Sequence, residues 1–552
     1  MIKNNKKGFT LIELLAVIVI LAIIALIATP IIIGLIDNAR KEAFKDGAYG
    51  VVKAGELLYA TDLLKGTIED VTFTYTDGVE SSSVSGKQLN YKGTKPKNGK
   101  VVINSEGKIA IAIHDGTYCA ERAYDDTEIT LTEKAIEECI IIGTYNYFVI
   151  TKGVNAPKLT DGMTPVKWDG SAWINTTEND SDWYDYSTKK WANVKTADGS
   201  FWVWIPRYAY QISDLYHMYP ATADIGGEIQ IKFLIDTTDT TIDETTIDTN
   251  PTYSGDSQTN YISHPAFTFG TTKIPGFWVP KFEPSVSNTS DACYTSPSLA
   301  NCDKTTLIPK FVPNAKSWRY QSILTAYTVS NDMDNNGNVY GVNESGVDTH
   351  VMKNTEWGAV AYLSKSQYGK QTEEVWINPN SNFITGCAGT SSSASSGTTC
   401  NTYETVNGVK ASTTGNVYGI YDMSGGAGEA TMGNYNNNSA SSGIIDVSTI
   451  DNKYINRYNG SNYGYNTNII GDALYETGSG CWWNDIGWTG HLPPGSWYLD
   501  SSSMPSATSP WVYRGGNYNY TTSAGIFAYT GDYGQASSSL SFRPALIVGA
   551  GL

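Results

Sequence analysis

Lys6-Lys7-Gly8-Phe9-Thr10-Leu11-Ile12-Glu13-Leu14 opens this chain, and from Leu14 to Ile36 the only polar side chain is Thr29. Lys3, Lys6 and Lys7 precede the apolar run, and Glu13 is the lone acid in front of it. At about 1.5 Å per residue the run makes a helix of roughly 34 Å, long enough to cross a bilayer core. A cleaved secretory signal has a shorter apolar core with a small-residue cleavage site behind it. Here the candidate cut lies before the core, so the core would be retained. Pro30 removes one backbone donor and is expected to kink or loosen the helix.

The helical pattern outlasts the apolar run. Ala39, Ala43, Tyr49, Val52, Leu57 and Leu58 keep one face to about Leu64. One helix is therefore expected over 9–64, spanning a membrane over 14–36 and packing its second half on a sheet. Strand-like alternation follows in Val71-Thr-Phe-Thr-Tyr75, Lys100-Val-Val-Ile-Asn104 and Lys108–His114. Asp77-Gly78, Asn98-Gly99 and Glu106-Gly107 separate the runs, which predicts a small antiparallel sheet over 65–150.

Composition bounds the rest. A chain of 552 residues is too long for one ordinary domain. Its net charge of −17 argues against nucleic acid or an anionic membrane surface as the main partner. Tyr (37) outnumbers Phe (14), which suits a loop-rich β protein with amphipathic aromatics at its surface. Cys119 with Cys139, Cys293 with Cys302 and Cys387 with Cys400 form close pairs that would staple surface loops outside a cell. Zinc is the competing reading, but no Cys-x-x-Cys occurs and only His114 lies near a Cys at finger spacing. Cys481 is left over, and a buried thiol rather than a nucleophile is expected. Residues 151–200 read as a linker and lead-in, and 201–552 as a separate loop-rich domain with Trp clusters. Thr237–Thr249 is low-complexity and is expected to be an exposed loop.

The opening segment resembles the leader and first helix of type IV prepilins and pseudopilins, through Lys6-Lys7-Gly8, Phe9 and Thr10-Leu11-Ile12-Glu13-Leu14. The resemblance implies that a prepilin peptidase removes residues 1–8 after Gly8 and that the new amino group of Phe9 is methylated. It implies a single-pass precursor in the cell membrane, and then a pilus filament at the cell surface with other pilin subunits as partners. An unpaired carboxylate in that environment is costly, so Glu13 would pair with the terminal ammonium of a neighbouring subunit. An ordinary single-span anchor is the alternative, and it leaves the spacing of glycine, aromatic and acid without a cause.

A second series runs through Phe201–Pro206, Gly276–Glu283, Asn354–Leu363, Asn416–Ser424, Arg514-Gly-Gly516 and Ser541–Leu546. It looks like the formylglycine-generating-enzyme-type, C-type-lectin-like fold over 201–552, which makes the whole chain α+β. The resemblance makes Asn354–Leu363 one of few helices, with Glu356 and Trp357 near its start. The copper enzymes of that family need paired cysteines between the Arg-Gly-Gly and Phe-Arg elements. Asn517–Leu540 holds none, and two thiolates are what binds soft Cu(I). Gly425-Gly-Ala-Gly-Glu-Ala430 keeps only the acid, Glu429, of the family's acid-and-tryptophan run. Enzyme activity is therefore not expected.

Variable proteins diversified by retroelements use the same fold and resemble this chain over 511–546. By that resemblance Asn517, Tyr518, Asn519, Tyr520, Tyr529, Asp532, Tyr533, Ser537, Ser538 and Ser539 form a ligand-binding face. Trp511, Arg514, Phe527, Phe542 and Arg543 would be its framework. Tyr gives stiff contact area while Ser, Asn and Gly adapt their hydrogen bonds, as in antibody loops. A closing segment that merely folds is the bland alternative. Asp332, Asp334 and Asn336 match half of a calcium loop, but the acid Glu344 falls one place after the twelfth position, Asn343. An Asn- and Gly-rich turn is the competing reading there, and no other cofactor is expected. The expected function is a pilin-like adhesin that binds an external protein or glycan. A surface enzyme of the same fold, and a pseudopilin of a secretion or DNA-uptake machine, are the alternatives.

Overall fold

The computed structural model describes residues 11–65, 71–84, 86–103, 107–122, 128–133, 136, 139, 156–178, 180, 182–213, 226–241, 247–254, 257–335, 337–342, 346–459, 469–474, 476–477 and 496–549. Within 11–36 it describes the side chains of Leu11, Leu15, Ala16, Ile18, Val19, Ile20, Leu26 and Gly34. The chain forms two compact units, Met1–Phe148 and Val149–Leu552.

The first unit begins with helix α1, Leu11–Lys65. Among the described residues no helix is long and apolar enough to cross a membrane. The membrane-span expectation for 14–36 falls mostly on side chains outside the described residues. Behind it come β1 (Val71–Thr76), β2 (Val79–Ser82), β3 (Asn98–Ile103), β4 (Ile109–His114), β5 (Tyr118–Arg122) and β6 (Thr130–Glu133). They form one antiparallel sheet in the order β2-β1-β3-β4-β5-β6. The period-two pattern of β1 turns Val71, Phe73 and Tyr75 inward, where they meet Ala48, Val51 and Val52 of α1. Both faces of β4 are covered. Ile109, Ile111 and Ile113 join the α1 core, while Ala110 and Ala112 pack beside Cys119 and Cys139. Gly55 lets α1 approach closely, since a Cβ there would lie 2.9 Å from Ile109 Cδ1. Arg40 pairs with Asp115 at 2.9 Å and ties helix to sheet.

The second unit corrects the expected boundary. Within 151–200, β7 (Thr164–Trp168), β8 (Trp173–Asn175) and β9 (Asn193–Lys195) are strands that join β10 (Phe201–Pro206). The described part of that stretch therefore belongs to the fold rather than linking to it. The short strands with Trp and Tyr sit among polar turns, so their apolar content is diluted in the sequence. β10 reads Phe-Trp-Val-Trp-Ile-Pro and is buried along its whole length. It pairs with Gly276–Pro280, and Trp204 faces Trp278 with ring centroids 5.1 Å apart. The strand Pro544–Val548, near the end of the chain, closes this seven-stranded sheet beside Gly276–Pro280 and Val347–Val351.

Helix Asn354–Lys365 appears where expected, two residues longer than its motif. It is buried on every side: Tyr208 donates to the Ala359 carbonyl, and the Trp357 indole N–H donates to the Ile526 carbonyl at 2.7 Å. A second sheet of six strands holds Gly428–Tyr435, Asn456–Tyr458, Trp511–Gly515, Gly525–Asp532, Ser502–Ser503 and Leu540–Phe542. Disulfides join Cys119 to Cys139, Cys293 to Cys302 and Cys387 to Cys400. Cys481 lies outside the described residues. The low-complexity stretch is not simply exposed. Asp239 pairs with the buried Arg207 and with Lys273, and Ile247 is buried. A charge partner and one isoleucine hold a segment whose composition alone predicts none of this.

Candidate functional site

The candidate face is built on a hairpin. Trp511–Gly515 pairs with Gly428–Tyr435 on one side and with Gly525–Asp532 on the other. The connection 516–524 and the stretch 533–539 carry most of the residues singled out above. Beneath them, two motif fragments that are far apart in the chain meet. Arg543 Nε donates to Glu429 Oε2 at 2.6 Å, and its other nitrogens donate to the Pro280 and Tyr421 carbonyls. Both partners have 0% exposed side chains. Glu429 is thus the counter-charge of the Phe-Arg-Pro element. Burial, against the pull of Arg543, pushes its carboxyl up to about 7. Asp422 accepts from Asn378 at 2.8 Å and from the Gly386 amide. Glu283 accepts from the Ala427 amide at 2.9 Å. Three acids thus surround one guanidinium, and burial, with Asp422 and Glu429 nearby, holds Glu283 well above the carboxylate range. The ion pair within this cluster is Glu429 with Arg543. Gly426 permits this packing, since at φ +66° a Cβ would sit 2.4 Å from Glu283 Oε1.

The framework residues Trp511, Arg514, Phe527, Phe542 and Arg543 are all buried. Arg514 donates to the Asp472 and Ala473 carbonyls at 3.2 Å each and lies over Trp357 and Tyr529. Tyr529 needs a correction as a face residue. It is 3% exposed and packs with Tyr458, Leu474, Met504 and Val512. Residues 525–529 are buried on both sides of their strand, so alternation does not deliver Tyr529 to the surface.

The other candidates fall on or near the surface. Asn517 Oδ1 accepts from the Asn519 amide at 3.2 Å, which shapes the turn. Tyr518 packs edge-on against Phe383, with centroids 4.7 Å apart, and Tyr520 lies against Ile377, Ala394 and Ala524. Asp532 accepts from the Gly534 amide at 2.9 Å and is half-buried, and Tyr533 is 50% exposed. The carbonyls of Ser537 and Ser539 accept from the Tyr320 and Gly428 amides. The Ser538 carbonyl accepts from Arg319. Arg319 and Tyr320 therefore border the face and the buried Phe383 supports Arg319 from beneath, though no motif marks them. Tyr320 (φ 65°) and Phe383 (φ 55°) are bulky residues in the left-handed region, a strain that clusters at functional sites.

The other predicted sites stand apart. Asp332 caps the helix Ile323–Asn331 and accepts from Asn335 at 3.0 Å. Asp334 is pushed up to about 6 by burial, with Asp348 adding to it. Asn336, Asn343 and Glu344 lie outside the described residues. Among the described residues no group of three or more His, Cys, Asp or Glu side chains is placed to hold a metal. Gly8 and Phe9, and the side chain of Glu13, also lie outside the described residues.

Residues 3–29 match the prokaryotic N-terminal methylation motif. The amino terminus carries a prepilin-type methylation motif. Over 84 residues the chain is 32% identical to prepilin peptidase-dependent protein A of Clostridium perfringens (strain 13 / Type A), covering 15% of this chain. The chain spans 60% of the length of that relative. Among solved structures it is similar to Treponema denticola variable protein 1, at 14% identity and a TM-score of 0.23, over 54% of this chain and 92% of that one.

Proposed function

We propose that this chain is a type IV pilin-like surface protein whose second unit is a ligand-binding module of the C-type-lectin-like, formylglycine-generating-enzyme type. In this reading a prepilin peptidase cuts after Gly8, Phe9 is methylated, and α1 first anchors the precursor and then joins other pilin subunits. The second unit acts as an adhesin that binds an external ligand through 517–539, and it performs no catalysis. The observation that carries the pilin part is the methylation motif over residues 3–29. Support for the binding part comes from a half-exposed set of Tyr, Asn and Ser resting on a buried framework. We read the same segment as retroelement-diversified.

Mass spectrometry of the mature protein tests the first part. The expected first residue is methylated Phe9, and a chain that keeps Met1 ends the reading. Sequencing the locus across isolates tests diversification, where the codons for Asn517–Tyr520 and Ser537–Ser539 should vary while those for Trp511, Arg514 and Arg543 stay fixed.

A further inference from the structure

We infer that Arg319 is the anchor of the ligand face and that it receives an Asp or Glu carboxylate from a protein ligand. The inference rests on the reading of 517–539 as a binding face and names the partner chemistry of that site.

Three observations carry it. The first is that the Arg319 guanidinium is held in place. Its Cζ lies 3.9 Å from the Phe383 ring centroid and 5.6 Å from that of Tyr320, and Nη1 donates to the Ser538 carbonyl. Its two aromatic neighbours are the residues with strained backbone, and Tyr518 braces Phe383 from the side. The second is that its charge is uncompensated. No carboxylate among the described residues pairs with Arg319, and its buried Nε has no acceptor. Glu283 acts on it only through space, and that acid is buried. Nη1 gives one N–H to Ser538 and Nε is buried, so Nη2 is the nitrogen left to meet a ligand. Its N–H groups suit a carboxylate oxygen through a charge-assisted hydrogen bond.

The third observation selects a protein over a sugar. The Tyr320 amide donates to the Ser537 carbonyl, Ile323 to Gly534, Leu324 to Ser442 and Ser441 to Tyr533. These bonds set segments 320–324, 441–445 and 533–537 side by side. Leu324 (39% exposed), Ile445 (98%) and Tyr533 (50%) are exposed apolar residues on those segments, further along them than Arg319. Exposed apolar residues on the segments that carry an Arg with aromatic neighbours are the composition of a protein–protein hot spot. The net charge of −17 does not oppose this, because at physiological salt it is screened beyond about 8 Å, whereas the contact itself is desolvated.

The test uses the full chain, purified in detergent and immobilised, against a displayed library of random linear peptides. Wild type is expected to enrich peptides with a shared Asp or Glu, whose change to Asn or Gln weakens binding about tenfold or more. Arg319→Gln should abolish that enrichment, and Arg319→Lys should recover part of it, because the charge returns without the fork. Unchanged thermal melting of both variants shows that the fold is intact. Enriched peptides that lack acids, or that ignore Arg319→Gln, overturn the inference and leave the binding face standing. Failure to enrich any peptide overturns the inference, and failure to capture any glycan as well overturns the binding face. An array of sialylated glycans run in parallel decides the source. Arg319-dependent capture there, with none of peptides, overturns the protein partner.

Discussion

His350 shows what a buried charge demands of its surroundings. Its Nδ1 meets Asp348 at 2.8 Å and its Nε2 meets Glu356 at 3.1 Å. Burial alone would lower its proton affinity, but Glu356 and Asp348 outweigh that and raise its pKa to about 9. In the unfolded chain the ring returns to about 6.5. The folded state therefore binds the proton more tightly, and the stabilisation is fully present below about 6.5 and lost as pH rises through about 9. Urea unfolding should show a loss of about 3 kcal/mol between pH 6 and 10, and His350→Gln should flatten that slope. The Glu429–Arg543 pair behaves differently. Removing one partner strands a buried charge, so Glu429→Ala should cost about 3–5 kcal/mol in urea titration. A smaller cost for the double change Glu429→Leu with Arg543→Met would show that the penalty is the stranded charge. Glu429 and the Phe-Arg-Pro element are each visible in the sequence. Their contact is not, because 114 residues separate them. Arg319 is less visible still, since its role comes from Phe383 and Tyr320, whose backbone strain has no sequence signature.

Among the elements, α1 and its sheet follow from pattern. Period-two alternation in β1 and the apolar positions of α1 face each other, and the loops between carry Gly and Asn. Gly55 marks where helix and sheet come closest, against the end of the Ile109 side chain. Gly55→Ala should change stability by less than about 1 kcal/mol, because gained helix propensity offsets a small shift of Ile109. Gly55→Leu should cost about 1–3 kcal/mol by overpacking, read from the thermal midpoint of the purified chain. Pattern reading is weaker for β7, β8 and β9. Each is only three to five residues long, too short for periodicity to rise above the polar turns around it. Tyr529 fails for a related reason. Alternation says which side of a strand a residue takes, but not that both sides are covered there.

For the whole molecule, the cysteine spacing has a consequence for where the protein folds. Three disulfides closing short loops suit an oxidising exterior. Alkylation in denaturant before reduction, followed by peptide mapping, should label Cys481 and leave Cys119, Cys139, Cys293, Cys302, Cys387 and Cys400 blocked. Replacing Cys387 and Cys400 together by Ser should lower stability by about 3 kcal/mol, since their loop is 13 residues. By itself the sequence determined the methylation motif, the long helix with its small sheet and the cysteine pairs. Each of these is local, set by periodicity, turn residues or near neighbours in the chain. Tertiary structure alone decided that 164–195 joins the second unit, that Tyr529 is core, that Glu429 balances Arg543 and that Arg319 stands unpaired at the border of the candidate face. These depend on which distant segments exclude water from one another, and a buried charge or a covered strand face exists only once the chain has closed around it.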